Sequence, residues 1–117
     1  MDEGGLDPFL SVLPESLELS KLGRLTPRRL VVVRGEIIET ARRRIGSSPA
    51  YRCLLFDGSG KLALYFLGRG EVAGLDVGTR CLAAGRVASF AGELVLWNPR
   101  YRIELGPPDP ANTPQLP

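Results

Sequence analysis

Two apolar runs on either side of Asp57-Gly58-Ser59-Gly60 restrict what this chain can fold into more than any other feature. The runs YRCLLF (51–56) and KLALYFL (61–67) are too short for stable helices and suit strands. A Gly-Ser-Gly link between them predicts a tight hairpin. Strand side chains alternate between faces. If Cys53, Leu55, Leu62, Leu64 and Phe66 point into a core, then Arg52, Leu54, Phe56, Lys61, Ala63, Tyr65 and Leu67 point out. The hairpin therefore carries aromatic rings and cations on its outer side.

The remaining segments extend the pattern. Residues 30–40, LVVVRGEIIET, read as a long strand bent at Gly35, with Val31, Val33 and Ile37 inward and Arg34 outward. Residues 41–50, ARRRIGSSPA, lack apolar alternation and read as a loop. Residues 68–78, GRGEVAGLDVG, are broken by glycines and hold at most two helical turns. TRCLAAGRVASF (79–90) is a fourth strand with Gly85 inside it, and ELVLWNP (93–99) a fifth, with a short extension over 101–105. Five strands with a helical connector between the third and fourth is the layout of the OB-fold, a small Greek-key barrel. A generic β-sandwich requires more strands and no connector. The predicted class is therefore all-β, a five-stranded OB-fold barrel over residues 28–105. Residues 1–27 form an acidic N-terminal segment, with a short amphipathic helix expected within 1–20. Residues 106–117, with five prolines in twelve positions, form a disordered tail.

Charge divides along the same boundaries. Residues 1–23 hold one Lys against five Asp/Glu, whereas residues 24–105 hold 14 Lys/Arg against seven Asp/Glu. Of the 15 cations 13 are arginine, which grips phosphate in a bidentate way and stacks on flat rings. No histidine is present, which removes the commonest general base and most zinc sites. No carboxylate cluster suits a metal nuclease, and no phosphate loop is present. The expectation is a non-enzyme without cofactor or metal. Cys53 and Cys81 lie within apolar patterns and read as buried core residues, with a disulfide or metal role the alternative. Asp57 beside two glycines reads as an acceptor for the backbone of its own turn. No run of 18 apolar residues spans a membrane, and nothing resembles a signal peptide; the expected location is the cytoplasm.

The segments VRGEI, FDGSGKLALYFLGR, GLDVGTRCLAAGRV and LWNPRY resemble the short single-domain OB-fold proteins of actinobacteria. More distantly they resemble the wedge domain of the RecG helicase. The resemblance covers roughly residues 28–105 and implies nucleic-acid binding. The residues support the same ligand on their own account. Phe56 and Tyr65 on adjacent strands, bordered by Arg52 and Lys61, suit single-stranded DNA or RNA, whose bases stack on rings while cations follow the backbone. Arg34 adds to this face, and Arg42, Arg43 and Arg44 lie in the segment joining the first two strands. Trp97 either stacks a base or packs over the barrel end against Tyr101. The rival reading is a protein-docking surface, for which outward Leu54 and Leu67 are better suited. The acidic N-terminal segment either competes for the basic face or closes the barrel end.

Overall fold

The computed structural model describes residues 18–105. Among these residues there are six strands and one short 3-10 turn, Leu22–Arg24. The strands are β1 (Leu30–Ile45), β2 (Ser48–Phe56), β3 (Lys61–Leu67), β4 (Arg80–Phe90), β5 (Glu93–Trp97) and β6 (Arg100–Ile103).

Strand β1 sets the architecture because it serves two neighbours. From Leu30 to Glu36 it pairs antiparallel with β4, and from Glu36 to Ile45 it pairs antiparallel with β2. The bend falls where expected, at Gly35, with a register irregularity between Ile37 and Glu39. A Cβ on Gly35 would lie 2.8 Å from the Phe56 carbonyl oxygen, so no side chain fits at that approach. Strands β2 and β3 form the predicted hairpin. β5 then inserts parallel to β3 and antiparallel to β4. The order β1-β2-β3-β5-β4 thus returns to β1. The ring is thin between β3 and β5, where only three residue pairs are in register. The extension after β5 is a sixth strand, β6, on the flank of β4.

The inward phase agrees with the alternation. Val31, Val33, Ile37, Cys53, Leu55, Leu62, Leu64, Phe66 and Leu96 share one buried cluster. Burial pushes the Cys53 thiol up to about 12 and the Cys81 thiol up to about 11; both are free and inert in the core.

Two expectations are corrected. The helical connector is not formed: between β3 and β4 the chain takes a series of turns, with Gly68, Gly74 and Gly78 at φ of 80°, 86° and 96°. A helix cannot accommodate these left-handed positions. The connector still fills the barrel end, burying Val72 and Leu75, and the Tyr51 hydroxyl donates to the Leu75 carbonyl at 2.7 Å. Residues 41–50 are not a loop either. Ala41 to Ile45 pair with Ser48 to Arg52 around a two-residue turn, Gly46-Ser47. The three consecutive arginines hide an alternation that backbone pairing imposes regardless.

The segment ahead of β1 is tied to the barrel. Leu19 bridges to Val32, and Leu22 is buried in the main core. Asp57 holds this segment to the β2–β3 turn. Its Oδ1 accepts from the Ser59 N–H (2.8 Å), the Ser59 hydroxyl (2.7 Å) and the Gly60 N–H (3.1 Å); its Oδ2 accepts from the Leu22 N–H at 2.9 Å. The structural reading of Asp57 holds, with a partner beyond its own turn. The helix expected in residues 1–20 falls almost wholly outside the described residues, and the proline-rich tail entirely so. No described helix is long and apolar enough to cross a membrane.

Partial burial pushes the Asp57 carboxyl up, but the hydrogen bonds from Leu22, Ser59 and Gly60 together hold it below its usual value. A carboxyl so depressed stabilises the fold above its unfolded pKa, and that contribution disappears as pH falls through the folded value. Asp57→Ala should therefore cost about 1 kcal/mol at neutral pH, the low end for charge-assisted hydrogen bonds because solvent screens this exposed carboxylate. Urea melts should show the gap between wild type and variant closing under acid conditions.

Candidate nucleic-acid interface

The outward side chains of β2, β3, β5 and the end of β4 form a second apolar cluster. Ala50, Leu54, Ala63, Tyr65 and Val95 are its buried members, and Ile45, Ala88, Phe90 and Trp97 pack against them. The strand phase is as predicted, but the face is not open as expected. Tyr65 is only 4% exposed and Leu54 only 9%. The reason is the β4–β5 hairpin, which brings two more rings over the sheet. Tyr65 lies 5.0 Å from Trp97 and 5.7 Å from Phe90, and Phe90 lies 5.0 Å from Trp97. Edge-on and tilted contacts of this kind each add about 0.5–1.5 kcal/mol beyond area burial.

Arg52 is also outward and also covered, at 7% exposure. Its Nε and Nη2 donate to Glu93 at 3.0 and 2.6 Å, a bidentate pair across the sheet. Tyr65 donates its hydroxyl to the same carboxylate at 3.3 Å. The Arg52 hydrogen bonds hold the Glu93 carboxyl below its usual value despite its partial burial. Arg52 Nη1 makes no hydrogen bond to a described residue and lies 3.7 Å from Glu39. Arg52 and Tyr65, expected as direct ligand contacts, thus form the covered floor of this face. A carboxylate was needed to make an outward arginine burial-compatible. Glu93, the lone acid at an outward position of β5, is the residue whose role the sequence reading missed.

Trp97 does not pack over the barrel end against Tyr101. It faces outward, half-buried in the ring cluster, while Tyr101 packs edge-on against Phe66 at 5.6 Å. Asn98 fastens this end: its N–H donates to the Tyr65 carbonyl at 2.6 Å and its Oδ1 accepts from the Leu67 N–H at 2.8 Å.

Arg42, Arg43 and Arg44 stand on the paired end of β1 and β2. Arg43 lies across from Ala50, a member of the outward cluster. Arg44 donates to the Ser47 carbonyl at 2.8 Å, and Arg42 meets Glu71 at 3.1 Å. The Arg42–Glu71 pair is largely exposed and contributes little stability. With Pro49, Ala50 and Gly70 the three arginines line an open notch of about 390 Å³. At the other end Phe56 (38% exposed) pairs across strands with exposed Lys61. Phe56 also lines a second open notch with Arg34, Glu36 and Arg80. Arg34 itself is held by Glu104 at 2.8 and 2.9 Å, on the side of β1 that faces β4 and β6 rather than beside Arg52. The structure therefore brings Arg43, Tyr65 and Trp97 onto one face, with Arg42 and Arg44 at its margin. Phe56 and Lys61 sit at its far end, and Arg34 outside it.

The barrel order, with β5 inserted between β3 and β4, decides the fold. It is an OB-fold. A replication protein A domain from Methanococcus maripaludis matches with a TM-score of 0.61 at 15% identity, over 74% of this chain and 94% of that one. An OB domain from Thermoplasma acidophilum matches with a TM-score of 0.61 at 18% identity, over 78% and 91%. RecG bound to a three-way DNA junction matches with a TM-score of 0.64 at 20% identity; the match spans 76% of this chain and 13% of RecG. No protein-family model and no curated protein matches the chain, so the likeness is one of fold.

Removing Glu93 would leave Arg52 buried with only the longer Glu39 contact, at 3.7 Å, as counter-charge. Glu93→Ala should destabilise toward the low end of the ~3–5 kcal/mol typical for breaking a buried pair, because Glu93 is partly exposed. The double variant Arg52→Met/Glu93→Leu should recover most of that loss in thermal melts.

Proposed function

We propose that this protein binds single-stranded nucleic acid with little sequence preference, on the outward face of β2, β3 and β5. The observation that carries the reading is the half-buried Trp97, set in a three-ring cluster beside the arginine-bearing end of β1 and β2. Trp97 and Phe90 supply the ring surface for bases. Arg43 and Arg44 hold phosphates, and Phe56 with Lys61 extends the path at the far end. Arg52, Glu93 and Tyr65 do not touch the ligand; they keep the ring cluster rigid, which limits the ordering cost of binding. The likeness to a replication protein A domain and to RecG bound to a three-way DNA junction supports nucleic acid as the ligand in general.

The rival reading, a protein-docking face, drew on outward Leu54 and Leu67. Leu54 is now covered, and what remains exposed is Leu67 and Phe56, neither inside the ring cluster. That is a poor centre for a protein interface, which needs a desolvated apolar hot spot.

Titration of fluorescent oligo(dT) and oligo(U) at two salt concentrations tests the proposal. With three to four phosphates neutralised, log K should fall against log salt with a slope of roughly −2 to −3. Arg43→Ser/Arg44→Ser should make that slope shallower by about 1.4 while leaving the melting temperature unchanged. Affinity indifferent to salt would overturn the reading.

A further inference from the structure

The outward side of β1, β4 and β6 is a second face, separate from the ring cluster. Register fixes its composition row by row. Leu30 lies across from Arg86, and Val32 from Ala84, which in turn lies across from Arg100. Arg34 pairs with Leu82, which pairs with Arg102; Glu36 pairs with Arg80, whose carbonyl accepts from the Glu104 N–H. Five arginines therefore share a three-stranded surface on which Glu36 and Glu104 are the acids among the described residues. Glu104 is committed to Arg34, and Arg86 donates to the Arg28 carbonyl at 2.7 Å. Arg80, Arg86 and Arg100 are exposed.

Two features narrow what such a face can hold. Its apolar floor of Val32, Leu82 and Ala84 is already buried, at 5%, 4% and 2% exposure, so its centre offers a protein no hydrophobic anchor. Among the described residues its centre presents no aromatic ring: Tyr101 of β6 turns inward to Phe66, and Phe56 stands only at the edge, across from Glu36, so unstacked bases find no continuous platform. What remains is a staggered set of arginines: Arg34 and Arg102 flank Leu82 from the two neighbouring strands, and Arg100 stands about 7 Å from Arg102 along β6. Contacts of this kind reach phosphates and carry no sequence information.

The geometry points to a second binding surface on β1–β4–β6 that takes the phosphate backbone of double-stranded nucleic acid, whose bases are already stacked and paired. It works independently of the single-strand face. The full chain would be titrated with a fluorescein-labelled 20-base-pair duplex and, separately, with oligo(dT), for wild type and for Arg80→Gln/Arg86→Gln/Arg100→Gln. The triple variant should lose at least roughly tenfold in duplex affinity at low salt, with a salt slope shallower by about 2–3. Its oligo(dT) affinity should stay within about twofold. If the triple variant melts early, Arg80→Gln/Arg100→Gln leaves the Arg86 hydrogen bond intact and answers the same question. No duplex binding by wild type, or equal losses for duplex and oligo(dT), would overturn the proposal. So would displacement of the duplex by poly-glutamate of equal charge, which would show a surface that reads acidity alone. Duplex binding that survives while oligo(dT) fails to bind would remove the single-strand reading and leave this one standing.

Discussion

Strand β1 has to hydrogen-bond to β4 with its first half and to β2 with its second, and the chain must curl between the two. The curl is possible because Gly35 lets the β1 backbone approach the Phe56 carbonyl where a methyl group would collide. From that approach the rest follows. β4 is drawn to one edge of β1 and β2 to the other, and β5 closes the order between β3 and β4. The inward stripe becomes a single core, and the outward residues are sorted onto two faces with different chemistry.

One face is built from rings. Tyr65, Phe90 and Trp97 come from three different strands and meet only because β5 runs parallel to β3 and carries its hairpin partner with it. Beneath them Arg52 is neutralised by Glu93, a pairing that allows a cation to sit under an aromatic cluster. The other face is built from guanidinium groups over a sealed apolar floor. A chain of this size thus carries a ring cluster and an arginine-rich surface on different sides of the same barrel.

Much of this was legible in the sequence. Period-two alternation assigned Cys53, Leu55, Leu62, Leu64 and Phe66 to the core, and Gly35 to the bend. The strand order pointed to the OB layout. Burial of outward residues was not legible, because it depends on distant partners: Tyr65 is covered by Phe90 and Trp97, and Arg52 by Glu93. The pairing of residues 41–50 was hidden by three arginines in a row, which carry no apolar signal while the backbone still makes its ladder. Glycine positions alone do not reveal a left-handed φ, so the sequence suggests a helical connector where the chain takes turns.

Trp97 is the sole tryptophan of the chain, so its fluorescence reports on the ring cluster alone. Adding oligo(dT) at low salt should quench that emission saturably, and raising the salt should restore it. Oligonucleotide binding established by anisotropy with no change in Trp97 emission would contradict the account, since the rings would then take no part.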